Sequence, residues 1–142
     1  MEAARLGVVF DSSVVIEAER QHRTVPQFLW QIRRKVGEME AALCSITVAE
    51  LAHGIYRANS AERRERRRAF LDDLKTALPV YPITAKTAEL VGRLGANLMA
   101  SGVAIPFADL LIGACAIERG YAVATLNLRH FEKIPGLELV SL

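Results

Sequence analysis

Apolar residues follow two alternating patterns along the chain. Short, often β-branched runs typical of buried strands lie at 6–10, 41–46, 79–83, 121–125 and 137–142. Helical spacing of apolar residues predicts helices at 13–21, 24–38, 47–58, 60–77, 84–101 and 106–119. This alternation predicts a three-layer α/β/α sandwich around a central, mainly parallel sheet of about five strands.

The helix at 84–101 carries no candidate chemistry. Its apolar stripe predicts a face turned toward the core, formed by Ala88, Val91, Leu94, Leu98 and Met99.

Length and composition indicate one compact domain over residues 1–142. The chain is 51% hydrophobic, has a net charge of +2 and contains two cysteines, Cys44 and Cys115, which we expect to be buried thiols. No apolar run approaches the about 20 residues of a membrane span, and the N-terminus lacks the pattern of a signal peptide. We therefore expect a cytoplasmic protein with no membrane partner. The net charge alone does not identify a partner.

Asp11 ends the first predicted strand in "VVFDSSVVIEAE". This is the edge at which open parallel sheets bind ligands, so Asp11 is a candidate site residue. The alternative is that Asp11, Ser12 or Ser13 caps the helix that follows. The residue alone leaves both interpretations open.

Two further acids stand near predicted helix starts. Thr47 and Glu50 have the spacing of a capping box, and by itself that spacing favours a cap for Glu50. Asp109 is the only charged residue in "IPFADLLIGACAI", and a carboxylate in so apolar a helix needs a partner. If the fold brings Asp11, Glu50 and Asp109 to one edge, a hard cation such as Mg²⁺ or Mn²⁺ relieves their repulsion. Taken together, the three acids favour a metal site.

Four segments resemble, in order and spacing, the PIN-domain ribonucleases and most closely their VapC-type toxins: "VVFDSSVVIE", "SITVAELAHGIYRA", "IPFADLLIGACAIERGYAVATLNLRHF" and "IPGLELVSL". The family's three acids match Asp11, Glu50 and Asp109. The resemblance implies a PIN sandwich whose acids hold Mg²⁺ or Mn²⁺ for RNA hydrolysis, and hence a metal-dependent endoribonuclease toxin of a type II toxin-antitoxin system. It also implies a homodimer and an antitoxin, which we expect to cover the helices at 13–21 and 24–38.

This sequence departs from the family at the fourth acid. Many members carry an acid in the segment matching "TLNLRHF", where this chain has Asn127 and His130. We predict that Asn127 supports the site through a hydrogen bond, whereas His130 either approaches RNA phosphate or is a structural turn residue. Ser12 is predicted to hold Asp11 by a hydrogen bond. The missing acid keeps an alternative open, a catalytically silent PIN-like module that binds RNA or protein.

The segment "AERRERRRAF" concentrates basic charge. We predict that Arg63, Arg64 and Arg67 contact RNA phosphates. Two alternatives remain open, binding of a partner protein and a solvated face with an ion pair between Glu62 and Arg66.

Overall fold

A computed structural model describes residues 6–142 and contains a five-stranded parallel sheet. The strands are β1 (Gly7–Phe10), β2 (Glu40–Cys44), β3 (Val80–Tyr81), β4 (Tyr121–Thr125) and β5 (Leu139–Ser141). Their order is β3-β2-β1-β4-β5, and every neighbouring pair is parallel. The predicted sheet is confirmed.

Seven helices accompany the sheet in the described part of the chain. They are α1 (Ser12–Arg20), α2 (Val25–Val36), α3 (Ser45–Tyr56), α4 (Ala61–Ala77), α5 (Ala85–Ala100), α6 (Phe107–Arg119) and α7 (Leu128–Phe131). The first six were predicted with small errors at their ends. The short α7 was not, because four residues are too few to show a helical period.

Two apolar cores lie on opposite faces of the sheet. One face of β1 points Val8 and Phe10 toward α1, α2 and α4, where the Phe28 ring lies 5.1 Å from that of Phe10 and 6.2 Å from that of Phe70. The other face points Val9 toward α5 and α6. Alternate side chains of a strand face opposite sides, so the central strand is buried twice. The three-layer α/β/α prediction is confirmed.

The buried face of α5 is narrower than predicted. Val91, Leu94 and Leu98 are buried, but Ala88 is exposed and Met99 is 74% exposed. Met99 follows Leu98 by one residue, which turns its side chain about 100° around the helix axis and away from the core.

Gly7 lets the central strand fit between its neighbours. A Cβ atom at Gly7 would lie 2.6 Å from the Glu40 carbonyl oxygen and 2.8 Å from the Tyr121 ring. Only glycine permits this close approach at the position where β1 pairs with Glu40 of β2 and Tyr121 of β4.

The strand order changes direction between β1 and β4. The chain moves outward from β1 through β2 to β3, then crosses to β4 and β5 on the other side. Open α/β sheets bind ligands beyond the carboxyl ends of the strands at such a point.

Within residues 6–142, no helix combines the length and apolarity needed to cross a membrane.

Candidate active site

Asp11 follows β1 directly and lies at this change of strand order. It occupies the N-cap position of α1, but its side chain makes no capping hydrogen bond. Instead its buried Oδ2 atom accepts hydrogen bonds from Ser13 Oγ at 2.7 Å and from Thr125 Oγ1 at 2.9 Å. The capping alternative for Asp11 therefore lacks its defining bond. The bond predicted from Ser12 is made by Ser13, which is a correction.

Thr125 links Asp11 to Asn127 at the start of α7, and the sequence did not point to it. It is the last residue of β4 and is fully buried. Its hydroxyl donates to Asp11 and accepts a hydrogen bond from the backbone N–H of Asn127 at 2.8 Å. A polar residue ending an apolar strand was the available signal, because the carboxyl ends of parallel strands share one edge.

Glu50 lies in the second turn of α3, not in its first. The helix begins at Ser45, so Thr47 is inside it, and its buried hydroxyl donates to the Phe10 carbonyl oxygen at 3.3 Å. The capping-box interpretation of Thr47 and Glu50 is therefore wrong. The Glu50 Oε1 atom is buried and has no hydrogen-bond partner among the described residues.

The environment of Glu50 opposes its ionisation. Burial raises the pKa of Glu50, and the charges of Asp11 and Asp109 raise this pKa further. A hydrogen bond from the Ser12 side chain lowers the pKa of Glu50 and so acts in the opposite direction. Ser12 thus supports Glu50 and not Asp11.

Asp109 lies in the first turn of α6 and is buried. The His130 Nδ1 atom is 2.8 Å from Asp109 Oδ2, a distance that makes an ion pair when the imidazole is protonated. The Oδ2 atom accepts no well-directed hydrogen bond from the described residues. Burial raises the pKa of Asp109, the charge of Asp11 adds to this rise, and His130 lowers the pKa.

The three predicted acids therefore lie close together, since Asp11 raises the pKa of both Glu50 and Asp109. Within residues 6–142, however, no three acidic, histidine or cysteine side chains are already arranged to hold a metal ion. What the site does contain is two buried carboxylate oxygens that accept no well-directed hydrogen bond, Glu50 Oε1 and Asp109 Oδ2, of which the second is contacted by His130. Such oxygens suit a hard cation.

The two residues at the fourth-acid position differ in their contacts. Asn127 is the N-cap residue of α7, where its backbone N–H bonds to Thr125, and a role for its side chain stays a prediction. His130 lies against Asp109, a pairing that the sequence analysis did not anticipate. Residues 21 positions apart on different elements carry no local signal of their contact.

The arginines of α4 divide into inner and outer groups. Arg67 Nη1 donates to the Gly54 carbonyl oxygen at 2.6 Å, and Arg66 Nε donates to Glu19 Oε1 at 2.7 Å. The alternative ion pair between Glu62 and Arg66 is therefore replaced by a pair between Glu19 and Arg66. Both inner arginines tie α4 to neighbouring helices.

The outer arginines remain at the surface. Arg63 and Arg64 are exposed, and their guanidinium groups donate to Asn59 and to the Ala58 carbonyl oxygen, each at 3.3 Å. Both contacts are longer than that of Arg67, and the Arg63 contact is exposed whereas the Arg64 contact is partly buried.

Comparison with protein families gives a direct match. The family model described as "PIN domain" matches residues 8–137 of this chain. This chain belongs to the PIN domain family. Curated relatives of this PIN domain include Ribonuclease VapC1 of Rickettsia felis, 29% identical with 96% of each chain covered. Ribonuclease VapC2 of Haemophilus influenzae is 31% identical, covering 93% of this chain and 95% of the relative. The tRNA(fMet)-specific endonuclease VapC of Salmonella typhimurium is 33% identical, covering 76% and 81%.

Solved structures share the fold of this PIN domain. VapBC2 from Rickettsia felis, bound to a promoter DNA fragment, aligns with a TM-score of 0.81 at 24% identity, covering 95% of this chain and 98% of the other. DNA-bound VapBC from Salmonella typhimurium aligns with a TM-score of 0.79 at 25% identity, covering 96% and 98%.

Proposed function

We propose that this PIN domain is a metal-dependent endoribonuclease that acts in the cytoplasm as the toxin of a type II toxin-antitoxin pair. The observation that carries the proposal is the convergence of three acids at one strand edge, where Glu50 has a buried carboxylate oxygen without a hydrogen-bond partner and Asp109 has one contacted by His130. The ribonuclease names of the curated relatives support the choice of RNA as substrate.

In the proposed site, Asp11, Glu50 and Asp109 would hold Mg²⁺ or Mn²⁺. When bound, such an ion acidifies a water molecule and stabilises charge on the scissile phosphate. Ser13 and Thr125 both donate to Oδ2 of Asp11 and so fix the orientation of the carboxylate that would hold the ion. Ser12 steadies Glu50, and the Asn127 side chain remains a candidate support. Arg63 and Arg64 are the arginines we assign to RNA phosphates.

The activity is tested with labelled RNA and Mn²⁺, with and without chelator. We expect the parent protein to cleave RNA, and we expect chelator or Asp11→Asn to abolish cleavage. Asp73→Asn, which changes an exposed acid of α4, is the matched control and should cleave like the parent. Binding of RNA without any cleavage in Mn²⁺ would instead support the catalytically silent module.

The proposed antitoxin site is a groove of about 680 Å³ between α1 and α2. Val14, Phe28 and Ile32 contribute apolar lining. The charged lining is mainly positive, with three basic residues against one acid: Arg23, Arg34, Lys35 and Glu17. Leu126, which directly follows Thr125, also lines the groove. An apolar segment with acidic flanks fits this groove, and its chain would extend over the adjacent acids.

A co-expressed antitoxin from the neighbouring gene should co-purify with the protein and restore growth. The double substitution Arg34→Glu and Lys35→Glu should weaken this complex, whereas Lys86→Glu on the exposed surface of α5 should not. Equal co-purification of both variants would contradict the groove assignment.

We also propose a homodimer, and a monomer mass in sedimentation equilibrium would contradict it.

A further inference from the structure

His130 is a partly exposed residue that contacts the buried carboxylate of Asp109. Its Nδ1 atom is 2.8 Å from Asp109 Oδ2, where the Asp109 side chain is 11% exposed and the His130 side chain is 49% exposed. The imidazole therefore contacts Asp109 through Nδ1, while about half of the His130 side chain is exposed to solvent. Among residues 6–142, no arginine or lysine forms an ion pair with Asp109.

The position of His130 is set by the same strand end that holds Asp11. Two local hydrogen bonds connect His130 to this strand end. The His130 backbone N–H donates to the Asn127 carbonyl oxygen at 3.1 Å, and the Asn127 N–H donates to Thr125 Oγ1 at 2.8 Å. Thr125 in turn donates to Asp11. Phe131 follows His130 and is fully buried, which anchors α7 in the core. His130 is thus held in place by the fold.

A carboxylate in the position of Asp109 needs a donor to fix its orientation. It is buried, it is repelled by Asp11, and its Oδ2 atom has no other contact of hydrogen-bonding length that would orient it. A group that contacts a metal-binding side chain without touching the metal sets the orientation of that side chain. Loss of such a group typically weakens metal binding by about 10–100-fold. The Nδ1 edge of His130 is placed to do this for Asp109.

We propose that His130 is a positioning residue for Asp109, holding its carboxylate through Nδ1 in the orientation that binds a divalent ion, where many relatives have a fourth acid. This inference rests on the proposed metal-dependent function. It gives His130 a role toward Asp109 that differs from contact with RNA phosphate.

Two substitutions separate the ring nitrogens. The amide nitrogen of His130→Asn lies near the position of Nδ1, and that of His130→Gln lies near the position of Nε2. Mn²⁺ binding to the full chain, measured by isothermal titration calorimetry without RNA, is the readout. We expect His130→Asn to bind Mn²⁺ nearly as tightly as the parent, and His130→Ala and His130→Gln to bind about 10–100-fold more weakly. Arg129→Ala, the neighbouring exposed position on α7, should match the parent.

Two results would overturn the positioning role. One is parental Mn²⁺ affinity in His130→Ala, and the other is rescue by His130→Gln but not by His130→Asn. Melting curves in chelator verify that each variant is folded. Asp109→Asn distinguishes this failure from failure of the proposed function. If Asp109→Asn loses Mn²⁺ binding while His130→Ala keeps it, only the positioning role is wrong, whereas full binding by Asp109→Asn removes the metal site itself.

Discussion

The folded protein disfavours the ionised forms of Glu50 and Asp109. Burial raises the pKa of both side chains, and neighbouring acids add to the rise in each pKa. The folded state therefore binds protons more tightly at these groups than the unfolded chain does. Their contribution to stability falls as pH rises from the ordinary carboxyl pKa through the raised folded-state pKa, and the full cost remains above it.

Neutral substitutions at these two acids should remove that cost. In chelator at neutral pH, we expect Asp109→Asn and Glu50→Gln to be at least as stable as the parent. Their advantage should shrink as the pH is lowered toward about 4, because the parent carboxyls become protonated. Denaturant unfolding across this pH range measures the difference in free energy of unfolding between variant and parent.

The exposed acid Asp73 provides the control for these measurements. Asp73→Asn should show no comparable change of its stability difference with pH. A loss of roughly 0.3–1 kcal/mol in Asp109→Asn at neutral pH, disappearing as the pH is lowered toward about 4, would indicate instead that the Asp109 carboxylate interacts favourably with the dipole of α6.

At the scale of elements, α4 packs on its neighbours through polar contacts as well as apolar ones. Phe70, Leu71 and Leu74 are buried in its second half. Arg67 donates to the Gly54 carbonyl oxygen of α3, and Arg66 pairs with the buried Glu19 of α1. The basic segment therefore combines a packing role with an exposed charged face.

The outer and inner arginines should separate RNA binding from stability. We expect the double variant Arg63→Gln and Arg64→Gln to change the free energy of unfolding by less than about 0.5 kcal/mol, because both side chains are exposed. The same variant should weaken RNA binding and flatten its salt dependence. Arg67→Gln should lower stability by roughly 1–3 kcal/mol, because the Gly54 carbonyl oxygen loses a charged donor.

Thermal unfolding and RNA binding at several salt concentrations provide these two measurements. An unchanged salt slope in the Arg63 and Arg64 variant would assign this surface to solvent or to a protein partner. An Arg67→Gln protein as stable as the parent would show that its contact with α3 is dispensable.

At the scale of the whole molecule, metal binding and folding are coupled. An ion that binds only the folded state stabilises it by mass action, by about 2.7 kcal/mol at a concentration 100 times the dissociation constant. Mn²⁺ should therefore raise the melting temperature of the parent relative to chelator. The rise should be much smaller in Asp11→Asn and Asp109→Asn, whereas Asp73→Asn should respond like the parent. Equal shifts in all four proteins would indicate binding elsewhere on the chain.

The sequence by itself determined the order of strands and helices along the chain. It also identified the three candidate acids. Strands and helices have different apolar periods, and these depend only on neighbours along the chain. "VVFDSS" and "IPFADLLIGACAI" also marked acids next to apolar segments, where an unpaired charge needs a reason. Cys44 and Cys115 are buried, as their apolar surroundings predicted.

Only the tertiary structure decided which side chains meet. Asp11 and Thr125 are 114 residues apart, and their hydrogen bond depends on β1 and β4 being adjacent. The contact between Asp109 and His130 and the ion pair between Glu19 and Arg66 also join different elements. Local spacing instead suggested Ser12 as the partner of Asp11 and Glu62 as that of Arg66. The second suggestion failed because Arg66 pairs with Glu19 of a different helix, which spacing along one element does not encode. The first missed by one residue, since Ser13 of the same helix makes the bond to Asp11.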